Sequence, residues 1–118
     1  LNIEELRDYC LQKPGVTESF PFGEDTLVFK VADKIFLLTG LNEPSFNAKC
    51  DPELAVELRE QHNEVKPGYH MNKKHWNTVH TDGMLTNKQL RDMIDHSYEL
   101  VFASLPKKLQ AEISADIN

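Results

Sequence analysis

Residues 66–78 read KPGYHMNKKHWNT and gather three lysines, two histidines, a tyrosine and the chain's single tryptophan. Lys66, Lys73 and Lys74 are candidates to neutralise phosphates, and Asn72 can donate to a phosphate or read an adenine edge. His70, Tyr69 and Trp76 have ring faces on which exposed bases can stack, and His75 can add a limited base contact. The candidate nucleic-acid-binding set is therefore Lys66, His70, Asn72, Lys73, Lys74 and His75. A plainer reading competes with it: a solvated turn beside a strand, with Trp76 plugging the core, as a lone tryptophan in a small domain usually does. On that reading Trp76→Ala costs about 3–5 kcal/mol. Lys49, Lys88 and Arg91 extend the cationic set only if the fold brings them near.

Other constellations promise less. His70, His75 and His80 recur every five residues, which sets neighbours on opposite faces of a strand and rotates them by about 140° on a helix. With no HExxH and no paired Cys/His set, no metal site is expected. Glu53, Glu57, Glu60 and Glu64, with Glu4, Glu5 and Asp8, can hold a hard cation weakly, but nothing constrains them into one coordination sphere and a solvated helix face is the favoured reading. Ser97 lies in an apolar helical row, where its hydroxyl is expected to bond a backbone carbonyl and not to act as a nucleophile. No GxSxG, Walker or GxGxxG motif is present, so no catalytic residue and no cofactor is expected and the domain is read as non-enzymatic. Cys10 and Cys50 are isolated, outside any CxxC spacing, and are expected as reduced core thiols; a disulfide between them is the alternative.

Composition bounds the rest. A chain of 118 residues, 40% apolar and 27% charged, fits one domain spanning 1–118 with its own core. Its formal charge is −6, unevenly spread: residues 1–64 carry 6 basic and 13 acidic side chains, net −7, and residues 65–118 carry 7 and 6, net +1. The domain is bipolar, and the acidic half is expected to face away from a cationic working face. IFLL, as long as any apolar run in the chain, is far short of the roughly 20 residues of a membrane span. LNIEELRDYC shows neither a basic n-region nor an apolar h-region, so no secretory signal is expected.

The elements that must position these residues follow from spacing. Asn2 with Glu5 reads as a capping box opening a first helix that ends at Pro14-Gly15. TESFPFG reads as a short edge strand, and the apolar runs flanking ADK as a hairpin with strands near 26–31 and 34–40. SFNAKC is a further strand. Asp51-Pro52 starts a helix with Leu54, Leu58 and His62 inward and the glutamates outward. KPGY fits a type II turn, and HWNTVH alternates as a strand. Thr86 with Gln89 caps a long helix to about Ala103, whose apolar row is Leu90, Ile94, Ser97 and Val101. Ser104 and Pro106 open a final helix. The order describes an α+β domain, a mostly antiparallel sheet with helices packed on one face.

With those segments placed, the chain resembles the MmcQ/YjbR-like family of small bacterial proteins. PGVTESFPFG, FKVADKIFLL, KCDPELAVELRE, PGYHMNKKHWNTV and the SYELV and ASLPKK blocks occur in the expected order over about the whole chain. The resemblance implies a CyaY-like α+β fold, a DNA-binding role and no known enzymatic activity. The leading expectation is a monomeric, cytoplasmic domain, without membrane contact, that binds DNA through residues 66–76. The alternative is a protein-interaction adaptor, or a frataxin-like metal-handling protein working through the acidic helices.

Overall fold

The structure, a computed structural model, describes residues 1–69 and 71–115. Helix α1 (Ile3–Leu11) opens on the expected capping box: the Asn2 side chain accepts from the Glu5 amide at 2.8 Å, and the Glu5 carboxylate accepts from the Asn2 amide at 3.2 Å. Gly15, at φ 72°, turns the chain into β1 (Val16–Ser19). That strand starts and stops earlier than TESFPFG suggests. Pro21 supplies no amide for a ladder and Gly23 adopts φ 119°, so residues 20–25 form a loop. Strands β2 (Thr26–Val31) and β3 (Lys34–Gly40) flank a two-residue turn whose Ala32 and Asp33 both have positive φ, 49° and 66°. Tight hairpins need that conformation because its twist matches the strands.

Strand β4 (Ser45–Lys49), helix α2 (Pro52–Gln61), β5 (Val65–Pro67), β6 (Trp76–His80), α3 (Asn87–Ala103) and α4 (Lys107–Ala115) complete the chain. The six strands make one antiparallel sheet in the order β1-β2-β3-β4-β6-β5. One face is covered: Leu27, Phe29, Leu37, Phe46 and Val79 meet Leu6 and Cys10 of α1 and Leu90, Ile94 and Val101 of α3 in a single core. The α+β architecture with helices on one face is as the sequence indicates.

A register shift tunes this core. Phe29 pairs with Leu37 but Lys30 with Ile35, which leaves Phe36 as the extra residue of a bulge. Phe36 and Leu37 consequently both enter the core, and the Phe36 ring meets Tyr98 edge-on at 5.4 Å. The Ser97 hydroxyl reaches into the sheet beside the bulge. It accepts from the Lys49 amide at 2.8 Å and donates to the Phe36 carbonyl at 2.5 Å. Ser97 thus bonds a carbonyl, as expected, but one belonging to the sheet and not to its own helix.

Helix α2 departs from its expected packing. Asp51 caps it through the Glu53 and Leu54 amides, both at 3.2 Å. Only Ala55 is fully buried, while Leu54, Leu58 and His62 are half-buried because a cavity lies between them and the sheet.

Candidate nucleic-acid interface

The opposite face of the sheet, away from that core, carries Lys30, Leu38, Asn47, Thr78 and Lys66 beside the fully buried Val28, as the strand registers require. A groove of about 920 Å³ runs over it, lined among others by Phe22, Asn47, Lys66, Tyr69, Thr78 and His80. Thr78 donates to Asn47 Oδ1 at 2.5 Å and accepts from the Tyr69 amide at 3.0 Å.

Beyond Pro67 the chain crosses to β6 through a turn. Gly68 does not take the positive φ of a type II turn, so that expectation fails. Its amide donates to the Trp76 carbonyl at 2.8 Å, and an added Cβ would lie 2.8 Å from Trp76 Cβ. Glycine is needed here for close approach, which extends the β5–β6 pairing by one residue. Asn72 then builds the turn. Its Oδ1 accepts from the Lys74 amide at 2.9 Å, and its carbonyl accepts from the amides of His75 and Trp76 at 3.2 and 2.9 Å. The base-reading role expected of Asn72 is curtailed, because its side-chain oxygen is used within the turn.

Arg59, which the sequence reading passed over, holds this turn from α2. Its Nε donates to Asn77 Oδ1 at 2.7 Å, and its terminal nitrogen donates to the carbonyls of Lys73 and of Trp76, the latter at 3.2 Å. The His75 carbonyl accepts from the Cys50 amide at 2.7 Å, fastening the same turn to the end of β4. Sequence offers no direct signal for Arg59, since two of its three acceptors are backbone carbonyls.

The predicted residues divide. Asn72, Lys73 and Lys74 are exposed on the turn, and His75 is half-buried beside them. Lys66 is exposed at the groove on β5. His70 lies outside the described residues. Among the described residues none of Lys66, Lys73 and Lys74 has an ion pair. Of the other cations, Lys88 pairs with Asp92 at 2.9 Å and Arg91 lies over the Tyr9 ring on the α1 side, while Lys49, opposite Trp76 in the register, falls in the sheet phase of Asn47 and Thr78.

Trp76 is not the expected core plug. Asn77 and Val79 are the buried, inward residues of β6, so Trp76 falls in the opposite phase with Thr78 and His80. It is half-buried and outside the core cluster. Glu53, Glu57 and Glu60 are exposed on the helix whose Arg59 grips the lysine turn. Glu64 lies beyond that helix and accepts from the Met84 amide at 2.5 Å, a bond that holds its carboxyl below the usual range.

Among the described residues no group of three or more His, Cys, Asp and Glu is arranged to hold a metal ion. Cys10 and Cys50 are buried free thiols, pushed up to about 12 and about 11 by desolvation, and are neutral near pH 7. No described helix is long and apolar enough to cross a membrane.

Comparison with known proteins bears on the family and the fold. The YjbR family model matches residues 11–100. Protein YjbR of Escherichia coli K12 is 38% identical over 110 residues, covering 92% of this chain and 93% of its own. Protein YbdF of Escherichia coli O157:H7 is 37% identical over 112 residues, covering 93% and 92%. A crystal structure of a Deinococcus radiodurans protein with a DUF419 domain superposes with a TM-score of 0.90 at 36% identity, over 96% of this chain and 88% of that one. A Pseudomonas syringae protein superposes with a TM-score of 0.75 at 29% identity, over 86% and 99%.

Proposed function

The chain belongs to the YjbR family, and on that premise we propose that it is a non-enzymatic domain that binds DNA through its lysine turn. The observation carrying this reading is that Lys73 and Lys74, without anionic partners among the described residues, leave a turn whose backbone is pinned by Arg59 and Asn72. A held turn presents its cations with less ordering to be lost on binding than a loose loop. Lys66, on the neighbouring strand β5, supplies a third cation, and His75 stands next to Lys74 in the chain. The contacts are mainly electrostatic and sequence-independent, and the domain works as a cytoplasmic monomer.

Three lysines neutralising about three phosphates give a slope of log affinity on log salt near −2.7, so fourfold more salt weakens binding about 40-fold. Fluorescence anisotropy on labelled duplex and single-stranded DNA measures this directly. Replacing Lys73 and Lys74 by alanine is expected to flatten the slope by about 2 and weaken all sequences alike. A wild-type protein that fails to bind at about 50 mM salt, or a folded double variant that keeps the full slope, refutes the reading and favours a protein-interaction adaptor.

A further inference from the structure

The face of the sheet turned away from the helices has a charge pattern that the chain as a whole does not. Strand register assigns to it alternate residues of every strand, among them Lys30 on β2, Lys49 on β4 and Lys66 on β5. No strand residue in this phase is an aspartate or a glutamate. Glu18, the only carboxylate within the six strands, falls on the helix side and pairs with Arg7 of α1 at 2.9 Å. The chain carries 19 acidic against 13 basic side chains, so this face inverts the sign of the whole. Among the described residues none of Lys30, Lys49 and Lys66 has an ion pair.

These cations gather at one end of the face. Strands β2 and β4 run in the same direction, since each is antiparallel to β3, and Lys30 and Lys49 lie at or next to their last residues. Lys49 is opposite Trp76, the first residue of β6, so the lysine turn that precedes β6 stands at the same end. From β2 to β6 is three strand spacings, about 14 Å, and over that span Lys30, Lys49 and then Lys73 and Lys74 form a line across the strands. The carboxylates of the groove, Asp25 and Glu43, sit in the loops before β2 and β4, at the far end. Beside the line the groove has an aromatic ring at each side: Phe22 before β2 is 66% exposed, and Tyr69 after β5 is 71% exposed. Its floor between them is uncharged, with Ile35, Leu38, Asn47 and Thr78. Asn47 Oδ1 accepts from Thr78, which leaves the Asn47 amide NH₂ to donate to a ligand.

We infer that this face binds single-stranded DNA, its phosphates along the lysine line and its unpaired bases in the groove against Phe22 and Tyr69. The inference rests on the DNA-binding reading of the turn, to which it adds the form of the DNA and the surface that holds it. A cationic track beside exposed aromatic rings matches a single strand in both parts: phosphates meet the lysines, and every base has a face to stack. A duplex keeps its bases inside the helix and gains nothing from Phe22 and Tyr69. Lys30 and Lys49 are half-buried on the sheet surface, where a flexible strand reaches them and a stiff duplex resting on the exposed turn does not.

The probes are a labelled oligothymidylate of about 15 nucleotides and a duplex of equal length, each titrated by fluorescence anisotropy. The oligothymidylate is expected to bind at least about tenfold more tightly than the duplex at about 50 mM salt. Lys30, Lys49, Lys66, Lys73 and Lys74 on a single strand give a slope of log affinity on log salt near −3.5. Lys30→Ala with Lys49→Ala is expected to flatten that slope by about 1.4 and to leave duplex binding unchanged. Phe22→Ala with Tyr69→Ala is expected to weaken the oligothymidylate by about fivefold or more, with neither its slope nor duplex affinity altered. All four residues are exposed or half-buried, and a melting curve checks that each variant stays folded. Equal affinity for the two probes, or a folded Lys30→Ala, Lys49→Ala variant that keeps the full slope, overturns the inference. Duplex binding that is lost with Lys73→Ala and Lys74→Ala, while both face variants bind the oligothymidylate as wild type does, overturns it and leaves the turn reading standing. Failure of both probes to bind overturns the two together.

Discussion

At the scale of single residues, much of the architecture depends on side chains that repair gaps in the backbone pairing. Ser97 is the clearest. The bulge at Phe36 brings two large residues to the core, and the hydroxyl on α3 links the Phe36 carbonyl and the Lys49 amide beside it. Ser97→Ala removes both partners at once. A buried polar group left unmade costs about 1–3 kcal/mol, against which the better helix propensity of alanine returns only about 0.5 kcal/mol. A net loss of about 2 kcal/mol or more in urea denaturation is expected. A variant within about 0.5 kcal/mol of wild type would mean that water takes over the bridge without loss. The hydroxyl's preference for a carbonyl was readable from its apolar row; which carbonyl it finds was not, because its partners are 61 and 48 residues away.

At the scale of elements, legibility follows the range of the interaction. The capping boxes at Asn2 and Thr86, the Asp51-Pro52 start and the two-residue hairpin are decided within a few residues, and each stands where local chemistry puts it. HWNTVH shows its period but not its phase, since either face of the run can be buried, and the tertiary packing chose Asn77 and Val79 over Trp76. The candidate site was legible in its lysines and not in the Arg59 clamp that shapes it. KPGY misled for a related reason: Pro-Gly suits a turn, whereas here proline ends β5 and glycine is demanded by its neighbour across the ladder. Gly68→Ala tests this. Its methyl would stand 2.8 Å from Trp76 Cβ and 2.9 Å from the Trp76 carbonyl oxygen, closer than packing tolerates, so the β5–β6 ladder must shift. Overpacking of this kind costs about 1–3 kcal/mol. Thermal melting should show that loss, and hydrogen exchange should show faster exchange of the amides at Gly68 and Trp76. Wild-type stability with unchanged exchange would refute close approach as the reason for glycine.

At the scale of the whole molecule, the charge asymmetry takes a different form in space from the one it takes along the chain. The net −7 of residues 1–64 and +1 of residues 65–118 suggest opposed faces, yet α2 carries its exposed glutamates on the helix that clamps the lysine turn. Glu57 and Glu60 lie on the helix that supplies Arg59, and a carboxylate within about a Debye length of a phosphate held at the turn would oppose it. At about 10 Å in water each such carboxylate opposes a phosphate by about 0.4 kcal/mol before screening. Glu57→Gln with Glu60→Gln is therefore expected to raise DNA affinity by about two- to fourfold at low salt, with the gain shrinking as salt is added. The exposed position of both residues leaves folding intact, which a melting curve checks. Anisotropy titrations of this variant beside the Lys73→Ala, Lys74→Ala variant decide where the polyanion runs. An increase in one and a decrease in the other place it over the Arg59 clamp. No increase, with the lysine effect retained, moves it to the far side of the turn, towards Lys66 and the open face of the sheet.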